Sequence, residues 1–128
     1  MRSWNWRIDD LDYDYHAMMA SLEGFCALQF LGRRITNGCM LVMEELVAQV
    51  FVPVAQAHGL QDPRLDITIS VAEGGEKASL KVDCRAYVEV GIYTEEATKY
   101  PSEYSASLVR SMTSDRVFED GIFRCTIG

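Results

Sequence analysis

The feature of this sequence that most constrains its fold is a change in the spacing of its apolar residues. From Asp14 to about Leu31, and again from about Gly38 to His58, apolar residues recur every three or four positions. This spacing predicts two amphipathic helices. After residue 64 the spacing falls to two, which is typical of strands with one buried face. The chain therefore supplies helices first and most of its sheet afterwards.

Two pairs of alternating segments predict two β-hairpins. Leu65–Val71 and Ala78–Cys84 flank a Glu-Gly-Gly-Glu turn, and Arg116–Ile127 contains the dipeptide Asp120-Gly121. Asp-Gly favours the left-handed backbone of a tight hairpin turn. Near the N-terminus, tryptophan and isoleucine alternate with polar residues, which predicts a further strand from about residue 3.

The segments between the hairpins are less regular. Arg85–Tyr93 is compatible with a longer strand or with the start of another, and Glu95–Lys99 with a short helical turn. Ser105–Asp115 has helical spacing. The whole order predicts one two-layer α+β domain over residues 1–128, with helices on one face of a mixed, mostly antiparallel sheet. The abrupt start is also what a module excised from a longer protein would have.

Capping residues and a proline predict where the helices begin and loosen. Asp12 or Asp14 is expected to cap the first helix, and Thr36 or Asn37 the second. Pro53 lies inside the second helix and has no N–H to donate to the preceding turn. The helix is therefore expected to kink or loosen near residues 49 to 52.

The charge balance excludes some partners. The 128 residues carry 12 Lys and Arg against 19 Asp and Glu, a net charge of −7, and the bases are scattered. Nucleic acid and anionic membranes are therefore not the expected partners, because both attract basic patches. No apolar run reaches about 18 residues, so no membrane insertion is predicted. The polar N-terminus is unlike a signal peptide, and we expect a cytoplasmic protein.

The four cysteines, Cys26, Cys39, Cys84 and Cys125, are widely spaced and form no Cys-x-x-Cys pair. Zinc sites commonly use such pairs, so none is predicted. Cysteine without an export signal is usually a reduced, small, buried apolar residue. We therefore expect four core thiols.

The N-terminal region combines acids with aromatic residues. Asp9–His16 holds four acids and a histidine but lacks the glycine and spacing of a calcium loop, so helix capping is favoured over metal binding. The aromatic residues Trp4, Trp6, Tyr13 and Tyr15 either pack on the domain or form a partner surface. Trp and Tyr are frequent interface anchors.

An acid and an amide face the same side of the second predicted helix. Within MEELVAQVFVP, Glu45 and Gln49 are four residues apart, which is about one helical turn. The pair is either a chemical site or the polar edge of a packed helix, and the edge is favoured. Asp83 and Arg85, two residues apart, are equally compatible with a local ion pair and with ligand binding.

Three segments in order resemble a known family. The first segment, CMLVMEELVAQVFVP, resembles a helix that carries a Glu-x-x-x-Asn box. The second, KVDCRA, resembles an Asp-x-Gly-x-Gly box that follows a hairpin. The third, SASLVRSMTSDRVFEDGIFRCTI, resembles a closing glycine-rich helix and the hairpin after it. This is the pattern of the ATP-binding domain of the gyrase, chaperone, histidine-kinase and MutL superfamily (GHKL ATPases). The nearest shape is that of bacterial anti-sigma-factor serine kinases, and the resemblance runs from about Leu22 to Gly128.

The resemblance implies roles for particular positions, and several are altered. Glu45 matches the glutamate that acts as general base, whereas Gln49 replaces the asparagine that holds magnesium. Asp83 matches the aspartate that reads adenine. Arg85 stands at the first glycine of that box, and Ser105 and Ser107 stand at later glycines. Glycine there lets backbone approach base and phosphate, so these losses argue against ATP hydrolysis.

The resemblance therefore implies a non-catalytic regulatory or protein-interaction module, a pseudoenzyme that uses no cofactor. Its expected partner is another protein or a second copy, bound through residues 3 to 31, because the first strand and helices serve this purpose in anti-sigma relatives. The alternative is an active serine kinase or ATPase that binds ATP and magnesium, with Gln49 in the metal role.

Overall fold

The computed structural model describes residues 2–60, 62, 64–72, 74, 76–89 and 102–128. The predicted Glu95–Lys99 turn lies outside these residues. The order of strands and helices along the chain is the predicted one, with one additional short helix. The elements are β1 Arg2–Ile8, α1 Tyr15–Leu28, α2 Arg33–Ala57, β2 Leu65–Val71, β3 Ala78–Asp83, α3 Arg85–Glu89, α4 Glu103–Met112, β4 Thr113–Glu119 and β5 Ile122–Ile127.

The strands form one sheet in the order β1-β2-β3-β5-β4, with every neighbouring pair antiparallel. Trp4 pairs with Ile69, Ile69 with Leu80, and Leu80 with Cys125, so one row of buried side chains crosses four strands. Directly opposite residues share a face of the sheet. The predicted α+β class is therefore confirmed.

The core lies between this face of the sheet and the helices. Leu22 of α1 and Leu46 of α2 are fully buried in the same cluster as Ile67 and Leu80 of the sheet. The opposite face carries mainly polar residues, among them Asn5 and Thr68, whose side chains form a 3.0 Å hydrogen bond. The alternation of the strands thus separates a buried face from an open one.

Helix α1 begins and ends with defined caps. The Asp14 carboxylate accepts a 2.9 Å hydrogen bond from the N–H of Ala17, which confirms one of the two predicted caps. At the other end, Phe30 has φ +55°, and the N–H groups of Phe30 and Leu31 donate to Ala27 and Cys26. This is a Schellman cap with phenylalanine at the position that usually holds glycine.

The predicted start of α2 was wrong. The helix begins at Arg33 after Gly32, and Thr36 lies inside its first turns, where its N–H donates to the Gly32 carbonyl at 3.0 Å. Ile35 is buried against the end of the sheet, near Gly128. Burial of Ile35 favours helix in this segment and outweighs the capping preference of Thr36 and Asn37.

The second half of α2 is wider than an α-helix. Met43–Phe51 is π-helical, and the N–H of Val52 donates five residues back to Val47. Pro53 follows directly and offers no N–H. The predicted loosening near residues 49 to 52 is therefore present, but it begins six residues earlier.

By length and composition, α2 is the one helix among the described residues that could cross a bilayer. However, 56% of its most apolar stretch is buried inside the domain. Burial of this kind is what the central helix of a packed core requires.

The remaining segments differ from the expectation at Arg85–Glu89 and agree with it at the closing hairpin turn. Arg85–Glu89 is helical, so neither predicted strand alternative holds there. In the closing hairpin, Asp120 and Gly121 have φ +54° and +76°, which fits the predicted tight turn. A bulge at Asp115, with φ +52°, shifts the register of β4 against β5.

Candidate functional site

The structure brings two of the predicted site residues into direct contact across 60 positions of sequence. The Ser105 hydroxyl, on the first turn of α4, donates a 2.6 Å hydrogen bond to the Glu45 carboxylate on the π-helical part of α2. Ser105 is only 4% exposed, whereas Glu45 is half-buried. A hydrogen bond to an ionised carboxylate is among the stronger ones in proteins. The acid of α2 is thus held by a serine of α4.

The start of α4 fixes the position of that hydroxyl. Ser102 caps the helix by accepting a 3.1 Å hydrogen bond from the N–H of Ser105. Gln49 and Ser107, the other predicted residues of this region, are both exposed. The capping serine was not singled out from the sequence, although Ser followed by Glu before an apolar helix is a recognised cap signal.

A second acid–donor pair lies where β3 passes into α3. Arg85 donates from Nε to Asp83 Oδ1 at 3.0 Å and from Nη2 to Oδ2 at 2.8 Å. The N–H of Arg85 also donates to Oδ1 at 3.2 Å. The predicted local ion pair is therefore present, and both oxygens of the carboxylate are engaged.

The environment of Asp83 acts on its pKa in two directions. The Asp83 side chain is 17% exposed, and burial by itself raises the pKa of the carboxyl. The hydrogen bonds and the charge of Arg85 act against burial and hold the Asp83 pKa below its ordinary value. Arg85 is 70% exposed, so it covers the carboxylate from the solvent side.

Helix α3 is anchored by a residue that the sequence analysis did not single out. The Tyr87 hydroxyl donates to the backbone carbonyl of Phe51, and the two rings meet edge to face with centroids 6.1 Å apart. Phe51 in turn meets Phe123 of β5 at 6.0 Å. Burial raises the pKa of Tyr87, so the hydroxyl keeps its proton and remains a donor. This contact ties α3 to the end of the π-helical segment.

The N-terminal aromatic residues divide between core and surface. Trp4 is 6% exposed, its Nε1 donates to Ser21 Oγ at 3.0 Å, and its ring stacks on Trp6 at 5.9 Å. Trp6, Tyr13 and Tyr15 are partly buried. Trp4 therefore packs on the domain. The other three of the four predicted interface residues retain some exposed surface.

The remaining candidate groups serve the fold. All four cysteines are free and buried, as predicted. Burial raises the pKa of Cys84 and of Cys125 to about 12, so neither is a reactive thiolate. Asp10 accepts a 2.8 Å hydrogen bond from the N–H of Asp12, and Asp14 caps α1. In the part of the chain that the structure describes, no three His, Cys, Asp or Glu side chains lie close enough to share a metal.

The described residues form a two-layer α+β domain with two acid–donor pairs, Glu45 with Ser105 and Asp83 with Arg85. Comparison with protein-family models and with curated proteins finds no match to this sequence. The chemistry of the site is therefore argued from its own geometry.

Proposed function

We propose that this chain is a non-catalytic regulatory module that acts by binding another protein and derives from a kinase-like ATP-binding domain. The observation that carries the proposal is the internal pairing of both retained acids. Asp83 is engaged by Arg85, and Glu45 by Ser105. In each pair the donor is a side chain at a position where the resemblance expects glycine.

The Asp83 pair supports loss of adenine recognition. An adenine amino group needs a carboxylate oxygen that is free to accept its hydrogen bond. Both Asp83 oxygens already accept from Arg85 in a bidentate arrangement, which is the more specific form of such pairs. Arg85 fills three of the roughly four acceptor positions of this carboxylate, so an adenine amino group would have to bind beside the guanidinium or displace it.

The Glu45 pair supports loss of catalysis. A general base must reach the proton that it removes within hydrogen-bond distance. Glu45 Oε2 instead accepts from Ser105 at 2.6 Å, inside the protein. Gln49 nearby is exposed, and its neutral amide would be a single weak ligand for Mg²⁺, which prefers carboxylates, phosphates and water.

Thermal unfolding with and without millimolar ATP and magnesium tests this proposal. A ligand that binds only the folded state raises the melting temperature by mass action. We expect no rise for the wild-type protein. A rise of several degrees that is lost in Asp83→Asn would contradict the proposal and favour an active kinase or ATPase.

The double variant Arg85→Gly/Ser105→Gly is the matched probe in the same experiment. It returns glycine to both positions and frees both carboxylates. If this variant also gains no stability from ATP, the missing asparagine at Gln49 is the next position to restore.

A further inference from the structure

The turn between α1 and α2 exposes two large apolar side chains that are two residues apart in sequence. Phe30 is 92% exposed, the highest value among the exposed large apolar residues of the described chain, and Leu28 is 75% exposed. Single exposed apolar residues are common, but an exposed aromatic beside an exposed leucine is typical of a binding surface.

The backbone of this turn also has an unfavourable conformation at Phe30. Phe30 has φ +55°, a conformation that costs little only for glycine and, to a smaller extent, for Asn and Asp. No packing explains the bulky side chain there, because it projects into solvent. A strained residue that its surroundings do not require is a reason to look for a function.

The first turn of α2 carries charges of the sign that a helix N-terminus disfavours. Its cap is Gly32, which provides no side-chain acceptor, and Arg33 and Arg34 follow with no acid in that turn. The N-terminus of a helix favours acids and disfavours bases. Several local rules broken within five residues point to a site selected for binding rather than for stability.

The charges around the turn indicate the kind of partner. Arg2 of β1 donates to the Gln29 side chain at 2.7 Å, which brings a third arginine to the turn. Residues 24–43 contain no acid, although the chain as a whole has a net charge of −7. The acids that flank this stretch in sequence are Glu23 and Glu44, and Glu76 lies with Lys77 on the β2–β3 loop beside Gly128. The surface is therefore locally basic on an acidic protein.

We propose that the surface formed by Arg2, Leu28, Phe30, Arg33 and Arg34, named here the turn surface, docks an acidic segment of another protein that carries apolar anchor residues. Phe30 and Leu28 supply the apolar contact, and the three arginines pair with carboxylates. Aromatic and arginine side chains are enriched at the centres of protein interfaces. This inference rests on the proposed function, because it identifies the partner that a binding module would take.

The overall charge favours a protein segment over a lipid surface. Three arginines attract anionic lipid only modestly, and a net charge of −7 opposes approach of the whole domain to a negative membrane. A segment of another protein can contact the turn alone and avoid the acidic remainder of the surface.

Selection from a displayed library of random 16-residue peptides tests the proposal without knowledge of the partner. The bait is the full chain, with counter-selection against Phe30→Gly/Arg33→Glu/Arg34→Glu. We expect recovered peptides to be rich in Asp and Glu and to contain Leu, Ile, Phe or Trp. Fluorescence anisotropy of the best peptide then gives affinities for each variant.

The variants are chosen so that folding is preserved. Phe30→Gly relieves the left-handed backbone, and acids in place of Arg33 and Arg34 suit a helix N-terminus. Each of these changes should weaken peptide binding by about tenfold or more, and binding should also weaken as salt is raised. The matched controls Val117→Ser and Arg110→Glu/Arg124→Glu alter exposed residues elsewhere and should bind as the wild type does.

Three outcomes would overturn the proposal. They are recovery of no peptide, recovery of peptides without acidic character, and equal binding by the wild type and the turn variants. Binding to vesicles of anionic phospholipid that depends on Phe30 would replace the protein partner with a membrane, and a dimer broken by Phe30→Gly would replace it with a second copy. A positive ATP titration would contradict the proposed function without affecting these peptide measurements.

Discussion

At the scale of single residues, Arg85 and Ser105 have the same physical effect. The side chain of each donates to an acid that is buried or half-buried. An ionised group without a partner in such a place destabilises the fold. The side chains of Arg85 and Ser105 therefore stabilise the domain by pairing with these acids.

The pKa of Asp83 reports directly on the first pair. Burial by itself raises the Asp83 pKa. Replacing Arg85 by Ala removes the side-chain hydrogen bonds and the charge that lower this pKa, whereas the backbone N–H of residue 85 and the charge of Lys81 remain. We expect the Asp83 pKa to rise towards its ordinary value of about 3.9, measured by NMR titration of the side-chain carboxyl carbon. An unchanged low pKa would show that Arg85 is not its cause.

The same pair predicts a pH dependence of stability. The folded-state pKa of Asp83 is depressed. The stability that the ionised Asp83 contributes is therefore present above its unfolded-state pKa and is lost as pH falls through its folded-state pKa. The stability difference between wild type and Arg85→Ala should thus be larger at pH 7 than below pH about 3. Urea unfolding of both proteins at the two pH values measures this difference in the free energy of unfolding.

Removal of the Ser105 hydroxyl tests the second pair. Ser105→Ala deprives Glu45 of its buried donor, and we expect the free energy of unfolding to fall by about 1–2 kcal/mol. The half exposure of Glu45 keeps the loss in the lower part of the usual range, since water can reach the carboxylate. Ser107→Ala, on the exposed side of α4, should change it by less than about 0.5 kcal/mol. Equal losses in the two variants would contradict the assigned contact.

Of the two pairs, sequence reasoning could anticipate only one. Asp83 and Arg85 are two residues apart, so the sequence itself shows that their side chains can reach each other. Glu45 and Ser105 meet because α4 packs against the π-helical part of α2, 60 positions away. Spacing along one helix gives no information about which residue of another helix will face it.

At the scale of elements, the predictions succeeded where local chemistry dominates. The Asp-Gly turn, both hairpins and the Asp14 cap each depend on a few neighbouring residues. The start of α2 and the helix α3 were mispredicted because burial of Ile35 and Tyr87 decides them. Their partners, Gly128 and Phe51, lie far away in sequence.

Capping of α1 gives a paired test at this scale. Asp14→Ala removes the acceptor for the Ala17 N–H and should lower the free energy of unfolding by about 1 kcal/mol. Asp12 does not cap the helix, although the sequence offered it as an alternative, and Asp12→Ala should cost less than about 0.5 kcal/mol. Chemical denaturation of both variants decides between the two caps.

At the scale of the whole molecule, the two edges of the sheet differ. Strand β4 is interrupted by the bulge at Asp115, where Arg116 folds back onto the Thr113 carbonyl at 2.8 Å. Strand β1 pairs with β2 over seven residues without a break. A regular edge strand can accept another strand, whereas a bulged edge resists it.

Because the edge formed by β1 is regular, we predict that the protein self-associates through residues 3 to 31. Light scattering over a range of concentrations should give a mass above the 14.4 kDa of one chain. Asn5→Lys adds a charge to the exposed side of β1, which should reduce association while leaving the fold intact. A constant monomer mass for the wild-type protein would contradict this prediction.

Our main proposal is that Arg85 and Ser105 hold Asp83 and Glu45 in a way that leaves no nucleotide site. Isothermal titration calorimetry of the wild-type chain with ATP and magnesium tests it most directly, with Arg85→Gly/Ser105→Gly titrated alongside. We predict no binding heat for the wild type up to millimolar ATP. Saturable binding by the wild type, weakened in Asp83→Asn, would contradict it.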